Sequence, residues 1–234
     1  AAAALLLLAA APQVAFQYKL LPVWAGRHVS RVYFWPTLPI TLLRSWMAGK
    51  GLWCAVDDTL VLGVAPLALL GHPGSLYRLG VRGVVNMTYE FSGPEFEYER
   101  RQMKQLRLPT VDHEEPRLED LKEAVQFIEG FRKRGERVYV HCKAGHGRAG
   151  AVALAWLAFA RSQGSEEQLR ELNAELLARR RVRKGLHQQP NVRAFGRWVR
   201  DSGRRGPVAA PGGEGRGGEV EMAVRQRFGE PRPI

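Results

Sequence analysis

The stretch AGAVALAWLAFA, residues 149–160, is apolar on nearly all faces of a helix and constrains the fold more than any other part of the chain. A helix of this kind is stable only when other elements cover most of its surface, so it predicts a buried central helix. A short β-branched run, RVYVH at 137–141, precedes it across a loop of a few residues. The order strand, short loop and buried helix indicates an α/β layer.

Further strands and helices alternate along the middle of the chain. The predicted strands are TLVLGV (59–64), GVVNM (83–87), QLRLP (105–109) and RVYVH (137–141). The predicted helices are 118–134, with an apolar stripe, 149–161, and a third that begins with a capping box of Ser165 and Gln168. This alternation predicts an α/β fold with a central, mostly parallel sheet flanked by helices. Ligands of such folds bind at the carboxyl ends of the strands.

Composition divides the 234-residue chain into three parts. Residues 53–201 carry the alternating pattern and predict a single domain, large enough for a core of its own. Residues 1–52 form a hydrophobic arm before it, and residues 202–234, rich in Gly, Pro and Arg without apolar periodicity, predict a disordered tail. Two cysteines exclude a disulfide-rich secreted scaffold, and a net charge of +12 favours polyanionic partners.

The N-terminal arm contains two apolar segments. The first, residues 1–11, is shorter than the roughly 20 residues that cross a bilayer but long enough for the core of a targeting signal. It predicts a targeting or anchoring remnant, or else a low-complexity end without function. The second, 29–48, joins aromatics and leucines to two arginines, which suits a membrane interface, and its two prolines argue against one spanning helix. An arm packed on the domain explains the same pattern.

The chemistry-bearing motif lies directly after the 137–141 strand, where the chain reads HCKAGHGRAG. Successive N–H groups of the loop at the mouth of the buried helix point into one concavity, and the helix dipole adds positive charge. Arg148 offers a planar fork of donors to two phosphate oxygens, and the same field favours the thiolate of Cys142. The sequence therefore predicts a nucleophile inside a phosphate cradle, formed by Lys143, Ala144, Gly145, His146 and Gly147.

This motif resembles the signature of the cysteine-based protein tyrosine phosphatase superfamily and its dual-specificity branch. His141, Cys142 and Arg148 match His-Cys-five residues-Arg. The resemblance implies a cysteinyl-phosphate intermediate, with Cys142 as nucleophile, His141 in support and Arg148 stabilising the transition state. It implies no cofactor, and the six histidines are scattered, without metal-ligand spacing to a second ligand. The Gly-Lys-Ser/Thr end of a nucleotide-binding loop is absent from this motif.

The same family uses an aspartic acid, on a loop before the cysteine, to protonate the leaving oxygen. Asp112 stands 30 residues before Cys142, in PTVDHEEP after the 105–109 strand, and we expect it to be the general acid. Glu114 and Glu115 are its rivals. Otherwise these two residues are solvated acids at a helix entrance.

Further segments narrow the resemblance over about residues 53–200. LVLGVAPL, LGVRGVVNMTYE, LRLPTVD and YVHCKAG are similar to the mitochondrial and plant-type dual-specificity phosphatases that dephosphorylate phosphatidylglycerophosphate. Asn86 and Tyr89-Glu90 occupy the place of that group's acidic active-site loop, so Glu90 is expected to bind a headgroup or to position Arg148. The resemblance implies a phosphorylated lipid substrate, an anionic membrane surface as partner, and the inner mitochondrial membrane, or alternatively a plastid, as location.

One departure from the family pattern follows Arg148. The family usually has Ser or Thr there, whose hydroxyl stabilises the departing thiolate, whereas this chain has Ala149. Plant glucan phosphatases are similar in this respect, which makes a glucan phosphatase, or a phosphatase of phosphoproteins, the second reading. A catalytically weak phosphate-binding module is the third. Cys54 has no predicted role.

Much of the surplus positive charge lies near the C-terminal end of the domain. Ten Lys and Arg residues fall between Leu176 and Arg205, with Asp201 as the one acid in the same stretch. This pattern predicts a face that docks on anionic lipid headgroups, or alternatively a solvated helix exterior. Nucleic acid is not the expected partner, because no basic sheet motif with interleaved aromatics is present.

Overall fold

The computed structural model describes residues 11–47 and 51–203. The strands are β1 (Trp53–Ala55), β2 (Leu60–Gly63), β3 (Val81–Thr88), β4 (Lys104–Thr110) and β5 (Arg137–His141). The helices are α1 (Val23–Met47), α2 (His72–Arg78), α3 (Glu95–Glu99), α4 (Leu118–Arg132), α5 (Arg148–Arg161), α6 (Glu166–Arg179) and α7 (Pro190–Asp201), with a 3₁₀ turn at Leu186–Gln188 and a helical segment at 11–17. The apolar run at 1–11 and the tail at 202–234 fall almost entirely outside these residues.

The five strands form one sheet in the order β1-β2-β5-β3-β4. Only the edge pair β1–β2 is antiparallel, because β2–β5, β5–β3 and β3–β4 all pair in parallel. The predicted central, mostly parallel sheet is therefore confirmed. His141 ends β5 between Gly63 of β2 and Asn86 of β3, so the loop that follows emerges at the middle of the sheet.

Alternate residues of each strand enter opposite layers of the core, as a period of two requires. Val138 and Val140 of β5 face the larger layer, under α4 to α7, whereas Tyr139 faces a smaller layer with Leu76 of α2 and Tyr98 of α3. Each face of the sheet is thus covered by helices, which explains why β2, β3 and β5 are buried along almost their whole length.

The helix α5 is the centre of the larger layer. Every residue from Arg148 to Ala158 is buried, and α4, α6 and α7 pack around the helix. The predicted buried helix is confirmed. The indole Nε1 of Trp156 donates to Asp57 at 2.6 Å, so the one polar atom of that side chain is satisfied inside the core.

The helix α1 continues through Pro36 and Pro39, although two internal prolines favour a break. Both prolines lie on the exposed side, where solvent can reach the carbonyls that lose their donors. The Thr37 hydroxyl also donates to the Tyr33 carbonyl. Within residues 11–47 and 51–203, none of the helices combines the length and the apolar character that a bilayer crossing needs.

The inner side of α1 packs against the domain. Phe34 and Leu38 are buried with Ala65, and the Phe34 ring stacks on Phe91 at 5.2 Å between centroids. The outer side exposes large apolar side chains, among them Trp24, Val32, Trp35, Leu43 and Trp46. The segment thus contacts the domain on one side and presents an aromatic surface on the other.

Candidate active site

The loop between β5 and α5 is held against the end of β2. The amide of Ala65 donates to the Lys143 carbonyl at 3.1 Å. Gly145 has φ +73°, and a Cβ there would lie 2.6 Å from the Gly63 carbonyl oxygen. Only glycine allows this backbone conformation together with so close an approach. The structure therefore requires glycine at position 145 of the predicted phosphate cradle.

The amides of this loop are available to a ligand. Within residues 11–47 and 51–203, the N–H groups of residues 143–147 donate to no protein group. They surround Cys142, which is 3% exposed at the bottom of a cavity of about 800 Å³. Lys143, Ala144, His146 and Gly147 line the same cavity. A ring of unused donors at a helix N-terminus is an anion site, so the arrangement can bind phosphate against the thiol.

Histidine 141, which precedes the cysteine, is fully buried. Burial lowers the pKa of His141 to about 3, and the nearby Arg148 acts in the same direction, so the imidazole is neutral. Its ring stacks on Tyr139, and its Nδ1 lies 3.4 Å from the Cys142 carbonyl oxygen. The structure therefore places His141 as packing beneath the loop.

The guanidinium of Arg148 is buried among three acceptors. Nη1 donates to Glu90 Oε2 at 2.9 Å and to the Thr110 carbonyl at 2.8 Å, while Nη2 contacts Glu90 Oε1 at 2.8 Å and Asp112 Oδ1 at 2.9 Å. Nε has no partner among the described residues, although it is buried. Burial lowers the pKa of Arg148, but Asp112 and Glu90 outweigh burial and hold that pKa above its ordinary value.

Asp112 lies beside Arg148, whereas Glu114 and Glu115, the alternative general acids, do not. Burial raises the pKa of Asp112, but Arg148, His113 and Lys143 together outweigh burial and lower it, so the carboxylate is ionised at neutral pH. The backbone of Glu114 closes a turn onto Val111, and the carboxylate of Glu115 accepts from the Asn191 amide at the start of α7. Neither glutamate contacts Arg148.

The carboxylate of Glu90 is buried against the guanidinium of Arg148. Its side chain is 1% exposed, and both of its oxygens are bound by Arg148. The loop that carries it is fixed by Asn86, whose Oδ1 accepts from Thr88 and whose Nδ2 donates to the Phe91 carbonyl. Because Arg148 binds both oxygens of this buried side chain, the geometry favours the predicted positioning of Arg148 over the predicted contact with a headgroup, and both roles stay predictions.

Lys143 connects the loop to α1. Its Nζ donates to the Thr37 hydroxyl and lies 3.4 Å from the Tyr33 carbonyl oxygen, and it sits over the Phe34 ring at 5.4 Å. Burial lowers the pKa of Lys143, and Asp112 and Glu90 oppose that shift. The contribution of α1 to the site was missed in the sequence, because nothing in a threonine or an aromatic residue 106 positions away indicates such a contact.

The basic segment after α6 is not one solvated surface. Arg180 is 2% exposed beneath the loop, where Nη2 donates to the Ala144 carbonyl at 3.2 Å and Nη1 to the Gly51 carbonyl at 3.3 Å. Arg179 and Arg193 form ion pairs with Glu175 and Glu166. Loop carbonyls and nearby acids therefore bind several of the bases in this segment, and docking on anionic lipid stays a prediction. Three others line the cavity, namely Arg181, Arg183 and Lys184.

These cavity bases affect His146. Burial lowers the pKa of His146 to about 4, and Arg180, Arg181 and Arg183 contribute to the same shift. The imidazole is neutral at physiological pH, so the positive field of the cavity comes from its arginines and lysines. Within the described ranges, no group of three or more His, Cys, Asp or Glu side chains is arranged to hold a metal ion.

Comparisons with known proteins agree with this geometry. The model of the dual specificity phosphatase catalytic domain matches residues 63–192. The phosphatidylglycerophosphatase and protein-tyrosine phosphatase 1 of Homo sapiens is 33% identical over 171 residues, which cover 69% of this chain and 81% of that protein. Phosphatidylglycerophosphate phosphatase PTPMT2 of Arabidopsis thaliana is 36% identical over 131 residues, covering 54% of this chain and 57% of that protein.

A solved structure gives the same result at the level of the fold. The crystal structure of PTPMT1 in complex with PI(5)P has a TM-score of 0.54 and 26% identity, covering 65% of this chain and 99% of that one. The resemblance predicted from His141, Cys142 and Arg148 is confirmed. The domain match covers more than half of the sequence and includes the whole Cys142 loop. The chain therefore belongs to the dual-specificity phosphatase family and is a cysteine-based phosphatase.

Proposed function

We propose that the chain hydrolyses the phosphomonoester of a membrane lipid, with phosphatidylglycerophosphate or a phosphoinositide as substrate. The proposal rests on the hydrogen-bond donors near Cys142 that have no acceptor among the described residues. They are the amides of residues 143–147 and Nε of Arg148. These donors match the oxygens of a phosphate dianion directly above the sulfur.

The first step transfers the phosphoryl group to the protein. Phosphate binding brings oxygens to Arg148 and displaces Asp112 from Nη2, where the two now meet at 2.9 Å. The Cys142 thiolate attacks phosphorus, the bond to the leaving oxygen breaks, and Asp112 gives that oxygen a proton. Asp112 is ionised in the free protein, but the bound dianion raises the pKa of a neighbouring carboxyl and restores its proton.

The second step releases phosphate. Asp112, now ionised, takes a proton from water, whose oxygen attacks phosphorus and breaks the sulfur–phosphorus bond. Arg148 stabilises the negative charge of both transition states, and Glu90 fixes its orientation through two hydrogen bonds. Inorganic phosphate leaves, and Cys142 returns to the thiolate.

A lipid substrate is favoured by three independent features. The cavity of about 800 Å³ is larger than a side-chain phosphate requires, and it carries Arg44, Arg181 and Lys184 at its walls. The relatives bear the name phosphatidylglycerophosphatase, and one solved neighbour binds PI(5)P. The aromatic outer face of α1 lies beside the cavity, as expected for a protein that takes its substrate from a bilayer.

Activity on a panel of substrates tests this proposal. Purified protein is given phosphatidylglycerophosphate, phosphoinositides, a phosphotyrosine peptide and phosphoglucan at equal phosphate concentration, and released phosphate is measured. We expect a lipid to have the highest kcat/KM and Cys142→Ser to abolish turnover. A phosphopeptide or glucan that exceeds the lipids tenfold contradicts the lipid assignment. Phosphate binding without any turnover points instead to the binding module that Ala149 made conceivable.

The proposal includes docking on an anionic membrane, with the inner mitochondrial membrane as its location. We expect sedimentation with vesicles containing cardiolipin, and loss of most binding in the Trp35→Ser, Trp46→Ser double variant, because each removes a large exposed aromatic of α1. Wild-type protein that stays in the supernatant contradicts the docking. Fractionation of cells that express the full-length protein tests the organelle, and recovery in plastids overturns the mitochondrial assignment.

A further inference from the structure

One face of α1 forms a wall of the cavity that contains Cys142. Thr37, Ile40, Thr41, Arg44 and Ser45 all line the cavity, and their spacing of three, four, seven and eight residues defines a single helical face. Thr37 contacts Lys143, next to the cysteine. At 1.5 Å per residue, Arg44 and Ser45 lie about 10–12 Å farther along α1. The cavity therefore extends well beyond the phosphate loop.

The charges in this extension have no counterparts in the protein. Arg44, Arg181 and Lys184 line the cavity, and none of the three forms an ion pair with a carboxylate of residues 11–47 or 51–203. The neighbouring Arg179 does, with Glu175 at 3.1 Å. Asp112 also lines the cavity, but it pairs with Arg148, so these three cations remain available to an anionic ligand.

Two polar atoms of the cavity lining, one on α1 and one on the helical segment at 11–17, are buried and unsatisfied. Ser45 is 8% exposed and its Oγ has no hydrogen-bond partner among the described residues, and the same holds for Oε1 of Gln13. Both residues line the cavity. An orphaned buried polar atom costs about 1–3 kcal/mol, so such atoms are normally paired. A serine hydroxyl can donate to a phosphate oxygen, and an amide oxygen can accept from a ligand hydroxyl.

We propose that Gln13, Arg44, Ser45 and Arg181 form a second anion subsite, which binds a phosphodiester while the phosphomonoester of the same molecule occupies the Cys142 loop. The ligand class is a polyol that carries both kinds of phosphate, with a hydroxyl for Gln13. This inference rests on the proposed function and adds to it the residues that bind the phosphodiester, which phosphatidylglycerophosphate and the phosphoinositides share. The subsite reads the headgroup itself, independently of the charge of the membrane.

A water-soluble pair of substrates tests the subsite without a membrane. The deacylated headgroup of phosphatidylglycerophosphate has a phosphomonoester and a phosphodiester, whereas glycerol 3-phosphate has the monoester alone. We expect kcat/KM of wild-type protein to be at least tenfold higher for the headgroup. The ratio of the two values is expected to fall at least tenfold in the Arg44→Gln, Arg181→Gln double variant, and two- to fivefold in Ser45→Ala. Arg179→Gln, an exposed base outside the cavity, is the matched control and leaves the ratio unchanged.

The result that overturns the subsite is a wild-type protein without preference for the headgroup, or a double variant that keeps the preference. Thermal unfolding of each variant shows whether it is folded, and Ser45→Ala provides the answer if the double variant is not. Calorimetric binding of both molecules to Cys142→Ser protein repeats the comparison without turnover. Absence of hydrolysis in wild-type protein contradicts the proposed function, while the binding ratio still decides on the subsite.

Discussion

Two buried arginines beside the phosphate loop differ in the groups that bind them. Arg148 and Arg180 are each 2% exposed. Arg148 binds two carboxylates, of Glu90 and Asp112, whereas the guanidinium of Arg180 donates to the backbone carbonyls of Ala144 and Gly51. Carboxylates cancel charge, but carbonyls satisfy hydrogen bonds and leave the charge in place.

The two carboxylates that bind Arg148 also differ: in the proposed mechanism phosphate replaces Asp112, whereas Glu90 stays bound. Asp112 is 27% exposed and can leave Arg148 when phosphate arrives, whereas Glu90 is 1% exposed and cannot. Arg180 has nothing to exchange, so it holds the loop in shape and maintains a positive potential from below. In the proposed mechanism Arg148 binds the phosphate, while Arg180 supports the loop that receives it.

The largest expected effect comes from Arg148→Lys. Lysine keeps the charge but loses the planar fork, so it cannot hold Glu90 and two phosphate oxygens together. We expect kcat on an aryl phosphate to fall about 10²–10³-fold, the size found when a transition-state donor is removed. A loss below tenfold means that a positive charge at position 148 is sufficient for turnover without the planar guanidinium.

The next effect is that of Asp112→Asn, which tests whether the exchangeable carboxylate is also the acid. We expect kcat on an alkyl phosphate to fall about 10²-fold, because a poor leaving group needs the proton. A nitrophenyl phosphate, with a good leaving group, is expected to lose less than tenfold. Glu114→Gln is the matched control. Equal losses in the two variants contradict the assignment.

The pH profile follows from the direction of the Asp112 shift. A general acid must be protonated, and Arg148 lowers the pKa of Asp112 in the free protein. The fraction of free protein with a protonated acid therefore rises as pH falls towards that lowered pKa. We expect kcat/KM for an alkyl phosphate, corrected for ionisation of the substrate, to increase towards acid pH and to flatten in Asp112→Asn. Profiles of the same shape in wild-type protein and Asp112→Asn would exclude this role.

Glu90→Gln weakens the permanent partner of Arg148. The amide keeps one acceptor but loses the charge, and breaking a buried pair leaves Arg148 partly uncompensated. We expect a loss of about 1–3 kcal/mol in the free energy of unfolding and a decrease of about tenfold in kcat. Urea denaturation and steady-state kinetics measure the two. Lower stability with unchanged kcat would mean that Asp112 alone orients the arginine.

Arg180→Met tests whether Arg180 supports the phosphate loop, with Arg179→Met as the exposed control. The change removes a buried cation and leaves two carbonyls without donors, which costs about 1–3 kcal/mol. We expect the inhibition constant of inorganic phosphate to rise about tenfold, since the field under the loop is lost. Arg179→Met should alter stability by less than about 0.5 kcal/mol. Identical behaviour of the two variants would show that Arg180 has no special role.

The smallest effect is expected from Ala149→Ser, directly after Arg148. The added hydroxyl can donate to the thiolate as it leaves phosphorus, and a hydrogen bond of about 1.5 kcal/mol corresponds to roughly tenfold in rate at most. We expect a faster second step, seen in rapid-mixing experiments as a smaller burst of aryl product. An unchanged burst would mean that the Arg148 side of the loop already compensates for the missing hydroxyl.

The sequence predicted those parts of the fold that have strong periodicity. Four parallel strands, α4, α5 and the capping box of α6 are present as predicted. In the capping box the Ser165 amide donates to Gln168 Oε1, and the Gln168 amide donates to Ser165 Oγ. The edge strand β1 and the short helices α2 and α3 were missed, because their few residues have no period. The continuity of α1 was missed because the cost of proline depends on which side faces solvent.

For the site, the sequence predicted local chemistry better than long-range contacts. Cys142, Arg148 and Asp112 are close together, since the loop motif and parallel strand ends place them there. Arg180 was grouped with surface bases, because an arginine in a basic run gives no sign that carbonyls will bury it. The sequence does not indicate that Thr37 and Ser45 line the cavity, since a helix face becomes a cavity wall only once the domain is folded.

The contact between Lys143 and Thr37 determines when in synthesis the site can form. The two residues are 106 positions apart in the chain, and α1 is made first. At about 5–20 residues per second, roughly 5–20 s pass between the synthesis of α1 and that of Lys143. During that interval the aromatic rings of α1 have no domain to cover their inner side. The site is therefore completed only after Lys143 has been made, well after the side chains of α1 that line it.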